Sequence, residues 1–125
     1  MKMELCLVPV EPPSISDKAQ VDLQVLAIEG YPFEVCGAIY THEIIVQYPN
    51  TFSGDHRKGF DMEIDLHRDI KAIWHSHPGG LTTPSQDDLP CIKFLTEHGY
   101  TFHHIIVTHK AVFEYRAELV DQSAA

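Results

Sequence analysis

The chain is short of positive charge, of cysteine and of long apolar runs, and each shortage excludes something. Nine Lys and Arg stand against eighteen Asp and Glu, a formal net charge of −9. The basic footprint of a nucleic-acid or anionic-membrane binder is therefore missing. Cys6, Cys36 and Cys91 fall at irregular spacing with no C-x2-C pair, which excludes a disulfide framework and a structural zinc knuckle and suits a reducing compartment. No apolar run approaches the roughly 20 residues that span a bilayer. The opening MKMELCLVPVEPP lacks the basic n-region and sustained h-region of a secretory signal. A soluble, unexported, cytoplasmic protein is expected. At 125 residues, 44% of them apolar, the chain reads as a single domain over 1–125 that buries roughly two-thirds of its unfolded surface.

What the chain does have is histidine, nine of them. Neutral imidazole binds metals and titrates near neutral pH, so placement decides what these residues mean. A short apolar opening strand ends at the Pro-rich stretch Pro9–Pro13. From Ser14 or Ser16 to Glu29 the pattern predicts a helix, with Ala19, Leu23, Leu26 and Ala27 on one face and Gly30 and Pro32 as the stop. Val35–Tyr40 and Ile44–Tyr48 read as a hairpin. The polar stretch 49–58 reads as a loop, and Gly59–Ile64 as another strand. Ile70–His77 predicts a strand ending in HSHPGG, where Pro78 and two glycines break the pairing. A second helix presents Leu89, Ile92 and Leu95 on one face and stops at Gly99. Phe102–Thr108 and Ala111–Leu119 close the chain as a hairpin, and the tail DQSAA reads as frayed. The expected architecture is α/β, a mixed, curved β-sheet flanked by helices.

Chemistry concentrates in HSHPGGLTTPSQDD, residues 75–88. Alternate side chains of a strand share a face, so His75 and His77 project together with Cα atoms roughly 6.5–7 Å apart, a span that two imidazoles can close on one ion. Taken alone, H-x-H is weak in a histidine-rich chain. A carboxylate past the following loop changes the reading. Two imidazoles and one carboxylate leave a tetrahedral zinc one open corner, the arrangement of a catalytic rather than a structural site. Ser85 and Asp88 could instead form a helix capping box. With Ser85 as N-cap, however, Pro90 would fall at the fifth helical position and delete a hydrogen bond, whereas Asp87 as N-cap puts Pro90 in the tolerated first turn. Asp87 would then have committed its oxygens to the helix, so Asp88 is preferred as the ligand.

Glu34, His75, Ser76, His77, Pro78, Ser85 and Asp88 together resemble the JAMM signature of JAB/MPN-domain zinc metalloproteases, an upstream Glu followed by H-[ST]-H-x7-S-x-x-D. YPFEVCG at 31–37, Asn50 after a proline and Phe60 before an acid are further echoes. The resemblance implies a single JAB/MPN-like (cytidine-deaminase-like) domain. It also implies Zn2+ held by His75, His77 and Asp88, Glu34 as general base, and Ser85 as donor to the tetrahedral oxyanion. The implied activity is peptidase or isopeptidase hydrolysis of an amide bond in a protein substrate. Family members that cleave ubiquitin chains carry insertions for which 125 residues leave little room, and the phrasing most resembles the minimal JAB domains of prokaryotes and tailed phages. A phage tail-assembly role follows, with tail proteins or an NlpC-type peptidase on another chain as partners, in the host cytoplasm or the virion tail. The alternative is a noncatalytic scaffold of a tail or multiprotein complex, although such modules typically lose ligands. A cupin-type oxygenase also uses H-x-H, but residues 78–86 hold no Glu and helices replace the barrel pattern.

Around this set, Cys36 reads as a buried small hydrophobe, Gly37 as a close approach of backbone and helix, and Trp74 as core on the opposite strand face. One of His103 and His104 must face inward. His42, His56, His67, His98 and His109 read as surface residues. A basic substrate segment is favoured by the net charge, and an extended substrate could add to a sheet edge near the 49–58 loop.

Overall fold

The computed structural model describes residues 2–124. In chain order the elements are β1 (Met3–Pro9), α1 (Asp17–Gly30), β2 (Cys36–Tyr40), β3 (Ile44–Tyr48), β4 (Ile70–Ser76), α2 (Leu89–Glu97), β5 (His103–Val107) and β6 (Val112–Asp121). One six-stranded sheet runs β1-β6-β5-β4-β2-β3. Among the described residues its only parallel pair is β4–β5; parallel neighbours need a crossover, and α2 supplies it. The remaining pairs are antiparallel, so the sheet is mixed and the class is α/β, as the pattern of elements predicted.

Local chemistry explains the ends of α1. The Ser16 hydroxyl accepts a hydrogen bond from Ala19 N at 3.1 Å as N-cap. The helix stops at Gly30, where a Cβ would stand 2.3 Å from Val35 Cγ1. Ala19, Leu23 and Ala27 are buried at the spacing predicted for the apolar face. They pack with Ala72, Trp74, Ile105 and Val107 in one core cluster. The alternate residues of β4 and β5, Ile73, His75, His104 and Ile106, point to the other face. Full burial of Leu23 or Trp74, both wholly inaccessible, stabilises the fold by about 2–3 kcal/mol each. The side of the sheet away from α1 therefore carries the histidines.

Three expectations are corrected here. Residues 59–64 form no strand. Their alternation is real, since Phe60, Met62 and Ile64 are half-buried while Asp61 and Glu63 are exposed, but the segment lies over the sheet instead of within it. Asn50 takes up its backbone groups: Nδ2 donates to Gly59 O at 3.2 Å, and Oδ1 accepts from Asp61 N at 3.2 Å. The tail is not loose through residue 122, because Asp121 belongs to β6 and Gln122 N donates to Lys2 O at 2.8 Å; Ala125 lies outside the described residues. Gly37 is crowded by a strand and not by a helix, a Cβ there falling 1.9 Å from Val46 O.

Candidate metal centre

β4 ends at Ser76, and His77 N continues the pairing by donating to Val107 O at 2.9 Å before Pro78 and the glycines turn the chain away. His75 and His77 keep the strand alternation and meet at a steep angle, their ring planes inclined by 71° and their Nε2 atoms 2.8 Å apart. Asp88 Oδ2 lies 3.1 Å from His75 Nε2 and 3.3 Å from His77 Nε2. His77 Nδ1 donates to Leu81 O at 2.8 Å. A carbonyl can only accept, so that proton sits on Nδ1 and leaves Nε2 as a lone pair aimed at the centre. Electron-pair donors converging in this way suit a divalent cation. The three edges are close to the roughly 3.3 Å expected between ligands of a tetrahedral ion with bonds of about 2.0–2.1 Å.

Asp88 reaches the histidines because of its place at the start of α2. It is the N-cap residue by position, yet its side chain makes no cap bond to the helix. Oδ2 instead accepts from Ser85 N at 2.8 Å, while Asp88 N donates to Ser85 O at 3.0 Å. Two readings from the sequence are thereby corrected. Asp87 does not cap the helix and is exposed. The acid-to-backbone half of a capping box does form between Ser85 and Asp88, and the oxygen that makes it is the one facing the imidazoles. Pro90 falls at N2 of α2, where its missing N–H leaves no helical bond unmade.

Glu34 is buried, and its carboxylate groups with the ring nitrogens of His75 and His77, all within 4.8 Å of one another. By that measure Glu34 joins the histidines; by direct contact Asp88 does, and the shorter distances make Asp88 the nearer partner. Glu34 is held through its backbone. Its N–H donates to His56 O at 2.7 Å and its carbonyl accepts from Asn50 Nδ2 at 3.1 Å. The next residue is clamped to β4, Val35 N donating to Ser76 Oγ at 2.9 Å and Ser76 N to Val35 O at 2.8 Å. Ser76 thus ties the glutamate's strand to the histidines' strand, a role invisible in a sequence where the partners lie 41 residues apart. Phe60 stacks on His75 at 4.3 Å between ring centroids. His56, expected at the surface, is half-buried, and its Nε2 lies 2.6 Å from Phe52 O.

The surroundings sort the protonation states. Burial pulls His75 below its ordinary value, and the Asp88 charge opposes without prevailing. His77 feels the same burial, but Asp88, the Leu81 carbonyl and Glu34 outweigh it and hold the imidazole above its ordinary value. Burial would raise Asp88, yet the two imidazoles against its Oδ2 and the hydrogen bond from Ser85 N keep it well below the usual carboxylate range. Burial pushes Glu34 up to about 7; His77 opposes the shift, and the Asp88 and Asp87 charges reinforce it. A carboxylate poised there can accept and return a proton at neutral pH. The Cys36 thiol is pushed up to about 12 by burial, then by Glu34 and Asp61, which keeps it protonated. A family model described as prokaryotic homologs of the JAB domain matches residues 17–118. No curated protein matches the chain.

Proposed function

The chain belongs to the family of prokaryotic JAB-domain homologues, and from that membership we propose that it is a zinc-dependent peptidase or isopeptidase that hydrolyses an amide bond in a protein substrate. The observation that carries the reading is the convergence of His75, His77 and Asp88 at 2.8–3.3 Å beside a buried Glu34. His75, His77 and Asp88 would hold the ion. Zinc bound there supplies Lewis acidity, making water acidic near neutral pH instead of about 15.7. Glu34 accepts a proton from the attacking water and returns it to the leaving amine. The Ser85 hydroxyl donates to the developing oxyanion, an interaction worth roughly 2–4 kcal/mol in comparable sites. β3 is an edge strand, and its Tyr48 end pairs beside Cys36, which in turn pairs with His75. An extended substrate could add to that edge, with its far portion reaching toward the histidines across β2. Phage or prophage tail-assembly proteins, including an NlpC-type peptidase on a separate chain, are the first substrates and partners to try.

Metal analysis of the purified protein, followed by co-expression with such partners and mass spectrometry of new termini, tests the reading. About one zinc per chain is expected in the wild type, absent from His77→Ala and Asp88→Ala and retained in Glu34→Gln while cleavage disappears. Equal cleavage by wild type and Glu34→Gln would overturn the peptidase role. Zinc lost from Asp87→Ala and kept in Asp88→Ala would overturn the ligand assignment.

A further inference from the structure

Next to the histidines, between α2 and the segment 60–64, lies a cavity of about 120 Å³ whose lining includes both His75 and Asp88. Its walls are otherwise largely apolar: Phe60, Met62 and Ile64 from the segment that crosses the sheet, Ile73 and Ile106 from the sheet itself, and Ile92 from α2. The charged side chains that line it, Asp61, Asp87 and Asp88, are all acidic, and the first two are exposed. Cys91 joins them at this exposed side, so the hollow reaches the surface. At its floor His104 is buried, and burial first, with His75 and His103 nearby, lowers it to about 4, leaving the ring uncharged at neutral pH.

Size selects the occupant. Sites for whole small molecules run to roughly 300–1,000 Å³, whereas an apolar cavity of roughly 150 Å³ accepts one benzene. The hollow therefore suits one branched aliphatic or single-ring side chain. A carboxylate would be desolvated among apolar groups and repelled by the three acids. We propose that this hollow is a specificity recess of the site, receiving one uncharged apolar side chain of the substrate while the adjoining residues act on the amide bond beside it. The recess rests on the hydrolase reading for its meaning, although its existence as an apolar binding site does not.

Two hydroxamates separate the two ideas. Acetohydroxamate carries a metal-binding head alone, and 3-phenylpropionohydroxamate adds a one-ring arm. Titrated into the zinc-loaded protein by calorimetry, the aryl compound should bind about tenfold or more tightly than acetohydroxamate. It should shift the methyl resonances of Ile73, Ile92 and Ile106. Filling the hollow with Cys91→Trp, or from the opposite wall with Met62→Trp should α2 not tolerate the first, is expected to abolish that gain and leave acetohydroxamate affinity unchanged. Equal affinities in the wild type, or a gain that survives both fillings, would overturn the recess. If neither hydroxamate binds while 3-phenylpropanamide still shifts those methyls in wild type and not in the filled variants, the recess stands and the metal-dependent reading falls. No shift by any of the three compounds would overturn the recess.

Discussion

Single residues at the centre do more than one thing, and their surroundings decide which. Asp88 starts a helix, closes the turn at Ser85 and faces two imidazoles with one oxygen. That economy was only half legible. The two histidines followed from strand alternation, whereas the place of Pro90 pointed to Asp87 as the helix cap, a position that Asp88 occupies. Asp88, the acid preferred from the sequence, is the one that faces the imidazoles, although Asp87 does not cap the helix. Glu34 yields a prediction at this scale. Its carboxyl is raised from 4.5 to about 7, so the folded state holds the proton more tightly than the unfolded chain. Stability is then lost as pH rises from about 4.5 through 7, because the unfolded carboxyl ionises first. Glu34→Gln removes that penalty. In metal-free protein the variant should gain about 1–3 kcal/mol at pH 8 and little at pH 5, read from chemical denaturation. Adding zinc to the wild type should lower the Glu34 titration, followed by carboxyl NMR, because a nearby dication favours the ionised form.

Elements bring Glu34 to the histidines through contacts that local pattern could not foretell. The alternation in 59–64 was read as a strand because period two is the strand signal, and the same alternation serves a segment that covers the sheet face. The difference lies in where the backbone bonds go. Asn50 uses both ends of its amide, donating to Glu34 O and Gly59 O and accepting from Phe52 N and Asp61 N. Asn50→Ala leaves those groups without partners and should cost about 1–3 kcal/mol. Limited proteolysis should then cut within 52–61, where the wild type resists. At Gly37 the neighbours are the Val46 carbonyl and the Trp74 indole, 1.9 and 2.9 Å from where a Cβ would sit. A backbone carbonyl cannot swing aside as a side chain can. Gly37→Ala should therefore destabilise by about 3 kcal/mol or more. Gly79→Ala is the control: nothing lies within 4 Å of its Cβ position, so its melting temperature should stay close to the wild-type value.

At the scale of the whole molecule, the segment entering α1 is fastened to β6 by one buried carboxylate. Glu114 on β6 accepts from Ser14 N at 2.8 Å, from Ser14 Oγ at 2.6 Å and from His103 Nδ1 at 2.5 Å. Burial would raise its pKa, but these bonds outweigh burial and hold it below the ordinary value of 4.5. A depressed carboxylate contributes stability that is fully present above that value and is lost as pH falls from there through the lower folded-state value. Glu114→Gln should therefore lower stability by about 1–3 kcal/mol at pH 7, and the gap should close as pH drops below about 4.5 in thermal melts followed by circular dichroism. Among the described residues no helix is long and apolar enough to cross a membrane, in line with the absence of long apolar runs in the chain. The order of helices and most strands and the paired histidines were determined by sequence alone, because each is written in periodicity and turn chemistry over a few neighbouring residues. Only the tertiary structure decided that Ser76 clamps Val35, that Asn50 folds 59–61 back toward Glu34, and that Asp88 takes the N-cap position of α2. Those outcomes depend on groups far apart in the chain meeting at hydrogen-bond distance, and such distances are set by how helices and sheet pack.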